Sequence, residues 1–234
     1  MKNIIRSAMT VSLAAATLVL PASSALAEIH SQSNELVVME ARDLPEQAQA
    51  KGNSLLLHSD NAGRTYLYVE QLQGTRLSVF DVTNPAHIKL TITTSLPEGG
   101  AFDFIRPLGE NAELVYFRNG QKAGVLDLRQ AKKPVLRAVS ITTNLDAAEP
   151  FGQGVLLASN ESYKYIPAVA HDFQLIDVSA ANPASLVTLK DVKHQITNEY
   201  TGTTFFLDSD GLTVVRRIGV ETDYKIHQIQ MQGN

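Results

Sequence analysis

Leu77-Ser78-Val79-Phe80-Asp81-Val82-Thr83-Asn84-Pro85-Ala86 is the stretch that decides the fold. A β-rich run reaches an Asp at its end, passes through a polar loop with a Pro, and gives way to Lys89-Leu90-Thr91-Ile92-Thr93. There Leu90 and Ile92 alternate with threonines, as in a strand with one buried face. The same order returns twice. Gly124-Val125-Leu126-Asp127-Leu128 is followed by Pro134, and Phe173-Gln174-Leu175-Ile176-Asp177-Val178-Ser179 by Asn182-Pro183-Ala184. The three aspartates stand 46 and 50 residues apart. Each is preceded by another apolar run, at 66–69, 114–117 and 155–158. A degenerate fourth copy keeps a pair of runs, 203–207 and 212–218, with Arg217 near the Asp position.

Working outward, short runs rich in Val, Leu, Ile, Thr, Tyr and Phe fill the chain after residue 28, bounded by Gly, Asn, Asp and Pro. They predict strands at 35–40, 54–58, 65–70, 76–82, 89–93, 102–107, 113–118 and 123–128. Others follow at 135–141, 154–158, 173–178, 186–190, 195–200, 203–207, 212–218 and 224–230. Only 43–51 suggests a short helix, with Asp43 as its N-cap. The expectation is an all-β fold. A 40–50-residue period with four strands per unit further predicts a small β-propeller of about four, or five, four-stranded blades. One such sheet exposes two apolar faces, and radial packing buries them between neighbours. The ring would close by the N-terminal strand completing the last blade, or the chain would be an open half that closes by dimerising.

The run from Leu77 to Pro85 resembles the repeat of bacterial LVIVP-type (YVTN-like) β-propellers: a Gly, here Gly74, then an apolar stretch leading to Asp-Val-Ser/Thr-Asn-Pro. The third copy matches at Asp177, Val178 and Ser179 and inserts two residues before Asn182-Pro183; the second lacks the Asn-Pro pair. The resemblance implies an exported or surface propeller and no particular reaction.

Residues 1–27 read as a secretory signal peptide. Lys2 and Arg6 precede an uncharged apolar stretch from 8 to 20, then Pro21 and an Ala25-Leu26-Ala27 cleavage site. The apolar stretch falls short of the roughly 20 residues needed to span a bilayer. Cleavage before Glu28 would leave a single domain, 28–234, of 207 residues, with no other apolar run long enough to cross a membrane. The chain has no Cys, which excludes disulfides, thiolate metal sites and a cysteine nucleophile. A net charge of −4, falling to −6 on cleavage, argues against a nucleic-acid partner. Export without cysteine suits a periplasm, with free secretion as the alternative.

Asp81, Asp127 and Asp177 recur once per unit, which favours a structural role: a strand-end Asp accepts a backbone N–H two residues on and fixes the turn. Asp208-Ser209-Asp210-Gly211 lacks the Glu of a calcium loop and reads as a hairpin turn, as does 59–63. The six histidines (His30, His58, His87, His171, His194 and His227) show no i,i+2 or i,i+4 pair. No nucleophile elbow, phosphate loop or dinucleotide fingerprint is present. No catalytic, cofactor or metal residue is therefore assigned. Tyr163, Tyr165, Ile166 and Pro167, in the long insertion 160–172, form a candidate contact loop. The leading expectation is a protein-binding or scaffolding module with an unidentified protein partner, or a homodimer. The alternative is an enzyme, hydrolase- or lactonase-like, with Asp103, Arg106, His194 and Glu199 in an axial funnel.

Overall fold

The structure is a computed structural model that describes residues 28–96, 100–118, 123–139, 147–150, 155–159, 168–179 and 181–232. Residues 1–27 and the loop bearing Tyr163, Tyr165, Ile166 and Pro167 lie outside the described residues.

The fold is all-β. In chain order the strands are β1 (Ile29–His30), β2 (Leu36–Met39), β3 (Gly52–Ser59), β4 (Thr65–Gln71), β5 (Arg76–Asp81) and β6 (Lys89–Ser95). Next come β7 (Phe102–Pro107), β8 (Ala112–Phe117), β9 (Ala123–Asp127), β10 (Val135–Val139), β11 (Ala147–Pro150) and β12 (Leu156–Ser159). The last are β13 (His171–Asp177), β14 (Ala184–Val192), β15 (His194–Asn198), β16 (Thr203–Asp208) and β17 (Gly211–Arg217), before helix α1 (Ile218–Gln232). Every pairing is antiparallel. The sheets are β3-β4-β5-β6, β7-β8-β9-β10, β11-β12, β13-β14 and β1-β2-β17-β16-β15. The last joins the two ends of the chain: β2 pairs with β17, with Val38 opposite Val215 and Val37 opposite Arg216.

Period-two patterning explains how these sheets stack. In β4, Leu67 and Val69 face one way and Tyr66 and Tyr68 the other. Leu67, Val69 and Phe80 meet Met39, Phe205, Leu207, Leu212 and Val214 of the terminal sheet. Tyr66, Tyr68, Leu77 and Val79 meet Phe102, Val115, Phe117 and Leu126 of the second sheet. The terminal sheet turns Val38 and Val215 to a third cluster, with Val187, Leu189 and Val192 of β14. The first and terminal sheets are thus each buried on both faces. Full burial of Phe80, Phe102 or Phe117 stabilises by roughly 1.5–3 kcal/mol each.

Three local expectations are corrected. Residues 224–230 form part of α1, not a strand. Their alternation (Tyr224-Lys225-Ile226-His227-Gln228-Ile229-Gln230) suits a ladder, but β2 already occupies the edge of β17. A helix satisfies that backbone internally, and Lys, Gln, Met and Glu propagate it well. The helix expected at 43–51 is replaced by two 3-10 turns, Ala41–Asp43 and Glu46–Gln49, separated at Leu44-Pro45, where the residue before proline is extended. Asp43 is not an N-cap there; its carboxylate accepts the Glu40 N–H from the end of the first turn (3.3 Å). Where the sequence suggested a third four-stranded unit, the described residues form two separate two-stranded ladders, β11-β12 and β13-β14.

Candidate functional site

β3 lies against both β7 and β15, so the first strands of three sheets come side by side. They carry Asn53, Asp103 and His194. Two further side chains enter from second strands, Glu70 from the end of β4 and Arg118 just past β8. Arg118 holds the group together. Its Nε donates to both carboxylate oxygens of Asp103 (3.1 and 3.0 Å), its Nη2 to the Asn53 carbonyl oxygen (3.2 Å), and its Nη1 stands 3.7 Å from Glu70 Oε2. Arg118 is only 13% exposed and Glu70 not at all. A planar guanidinium can grip one carboxylate through two N–H groups and still reach other acceptors along fixed directions, a geometry the compact ammonium of a lysine does not have.

Neither oxygen of Glu70 closes a hydrogen bond of ordinary geometry. Burial pushes its carboxyl up to about 7; the charge of Arg118, the Asn53 amide and the Gly74 N–H only temper this. Burial also lowers the His194 imidazole, with Asp103 opposing and Arg118 reinforcing the shift. His194 is therefore neutral at neutral pH. A carboxyl raised to about 7 beside a fixed ion pair can take up or release a proton near neutrality.

Asn53 also lines a cleft of about 740 Å³. Its wall comprises the start of β3 (Lys51, Gly52), the turn after β4 (Leu72, Gln73), the β14–β15 junction (Asp191, Lys193) and the end of β16 (Leu207, Asp208). Leu72, Gln73 and Asp191 have φ of 51°, 56° and 53°, a left-handed backbone that costs a non-glycine residue roughly 1–2 kcal/mol. At the other end, a cleft of about 460 Å³ lies between α1 (Tyr224, His227, Gln228) and the loops at Gly63 and Thr83. Tyr200 and Tyr224 pack there with ring centroids 6.1 Å apart.

Of the funnel residues expected from sequence, Asp103 and His194 come together at Arg118. Arg106 and Glu199 do not join them: both are exposed, Arg106 beyond the bulge of β7 and Glu199 in the turn at the far end of β15. The repeat aspartates each receive the N–H two residues on, from Thr83 to Asp81 (3.0 Å), Arg129 to Asp127 (3.0 Å) and Ser179 to Asp177 (2.9 Å). Asp177 also accepts the Gln32 N–H (2.6 Å), tying the third repeat to the N-terminal segment. The Asp208-to-Gly211 and 59–63 segments are hairpin turns; Asp208 accepts N–H groups of Asp210 and Gly211, and Asp60 those of Ala62 and Arg64. Among the described residues, no three of His, Asp or Glu converge as a metal site.

Sequence reasoning missed Glu70, Arg118 and Asn53. A signal existed for two of them. Tyr68-Val69-Glu70 and Tyr116-Phe117-Arg118 stand at the ends of the second strands of the first two sheets, 48 residues apart, and Phe206-Leu207-Asp208 ends the second strand, β16, counted from β15 in the terminal sheet. A charge recurring where the pattern calls for an apolar residue marks one level of the fold. A comparison with protein-family models finds no match, and neither does a comparison with curated proteins.

Proposed function

We propose that this chain is an exported, periplasmic β-propeller-like module that binds another protein. The ring reading draws support from faces that bury against successive sheets and from β2 completing the terminal sheet. Export rests on the leader-like residues 1–27, and the resemblance to LVIVP-type repeats agrees with both.

The observation that carries binding is the end of α1. Its first two turns are held: buried Glu221 receives Nε and Nη2 of Arg216 and Nζ of Lys225, Arg216 also reaches Glu28, and Tyr224 packs on Tyr200. Beyond them, Ile226, Ile229 (70% exposed) and Met231 (68% exposed) face solvent. A free helix of this length is marginal in water and gains from a partner. Its exposed polar side chains, among them Asp223, Lys225, His227, Gln228 and Gln230, include one lysine and no arginine, unlike the Lys/Arg-rich face of a membrane-surface helix, so the partner is a protein. In-cell cross-linking of the exported chain should recover a specific protein, and Ile226→Gln with Ile229→Gln should abolish recovery while leaving the melting temperature unchanged. Recovery of the doubly substituted chain at the wild-type level would refute the assignment to α1. Capture of a second copy of this chain would make the partner a homodimer.

A second reading, an enzyme of hydrolase or lactonase type, is favoured by Glu70 and His194 at Arg118. It predicts turnover of an ester or lactone panel that Glu70→Gln abolishes; full turnover by that variant would rule Glu70 out.

A further inference from the structure

We propose that the 740 Å³ cleft at the start of β3 binds a small zwitterion, a molecule of amino-acid or short-peptide size with a free amine and a free carboxylate. This is independent of the reading of α1, which lies elsewhere.

The cleft has the size of small-ligand sites and mixes apolar wall (Leu72, Ala170, Leu207) with charged side chains. Those charges are of both signs and are not spent on one another. Lys51, Asp191 and Lys193 are exposed, and none closes an ion pair among the described residues. Asp208, the second carboxylate of the wall, is already committed: Oδ1 accepts the Asp210 and Gly211 N–H groups and Oδ2 the Thr213 hydroxyl.

Asp191 is held in place, not left to wander. Its backbone is left-handed, its N–H donates to Asp172 Oδ1 (3.1 Å), and Lys190 fixes the other oxygen of Asp172 (2.7 Å). The next turn of wall, Leu72-Gln73, is left-handed too, and it leaves Leu72 half exposed at the cleft. Strain of this kind persists only where surrounding structure enforces it.

Charge then selects the ligand class. A simple anion would meet Asp191 as well as the two lysines. A metal cation would find one free carboxylate. A molecule with both charges can set its carboxylate towards Lys51 and Lys193 and its amine towards Asp191. The shape of the site adds a short apolar body lying along Leu72 and Leu207.

The test uses trialanine as probe, titrated calorimetrically into the chain from Glu28 onward. N-acetyl-trialanine lacks the cation and trialanine amide lacks the anion. Trialanine is expected to bind, and blocking either end to weaken binding at least tenfold. Asp191→Asn, which keeps tolerance of the left-handed backbone, should erase the preference for the free amine. Lys51→Gln with Lys193→Gln should erase the preference for the free carboxylate. All three sites are exposed, and the blocked peptides probe the same charges without altering the protein. No binding of trialanine, equal binding of all three peptides, or unchanged preferences in the variants would each overturn the proposal.

Discussion

Glu70 and Arg118 show how much a charge at a strand end can set. They end the second strands of neighbouring sheets, and their opposite charges meet across the interface between them, with Asp103 as the stronger partner of the cation. Removing the cation leaves two carboxylates with little water. Arg118→Met should therefore destabilise by about 3 kcal/mol or more, read from urea unfolding. A loss under 1 kcal/mol would mean the group is solvated. Glu70 and Glu113 also give stability a pH slope. Burial raises the first to about 7 and the second to about 8, from an ordinary 4.5. Between 4.5 and those values the unfolded chain has released protons that the folded chain keeps, so stability falls as pH rises through this window. Glu113→Gln should be more stable than the wild type at pH about 9, and the difference should vanish near pH about 4, where both states hold the proton. A variant less stable than wild type at the alkaline end would mean that the Glu113 carboxylate has a partner in the fold.

Individual elements followed their sequence where local pattern and available partners agreed. In β4 the alternation of Tyr66, Leu67, Tyr68 and Val69 matches the faces they bury, and the Asp81-Pro85 turn is set by its own Asp81–Thr83 bond, with the adjoining start of β4 at Thr65 bonded to Val82 and Thr83. The turn after β4 answers to both its own backbone and a distant neighbour: Gly74 has φ of 81°, and a Cβ there would stand 1.8 Å from the Gly100 carbonyl oxygen. Gly74→Ala should cost more than about 2 kcal/mol in thermal or urea unfolding, since both backbone and packing oppose it; a neutral result would mean the turn rearranges freely. Elements that depend on who else is present were illegible. Residues 224–230 alternate as well as many true strands, yet the edge they would have joined belongs to β2, which arrives from the other end of the chain. The site divides in the same way. Asp103 and His194 stand out in the sequence as polar residues on first strands, whereas Glu70 and Arg118 were missed, although a charge closing each apolar run marks them. Their convergence depends on sheet-to-sheet packing, which no local pattern states.

The molecule as a whole depends on β2. The first and terminal sheets bury each other through Leu67, Phe80, Phe205 and Val214, and Met39 of β2 completes that cluster while Val38 completes the next. If β2 came from another chain, the same contacts would build a dimer instead of closing one molecule on itself. The absence of cysteine allows a clean distinction. Val38 and Val215 are opposite one another in the β2–β17 ladder, where Cα separations of about 4.5–5.5 Å fall within the range a disulfide bridges. The most direct measurement is oxidation of the chain carrying Val38→Cys and Val215→Cys, followed by non-reducing electrophoresis and mass spectrometry. Closure within one chain predicts a monomer with an internal disulfide; a disulfide-linked dimer, or two free thiols in a folded protein, would contradict it.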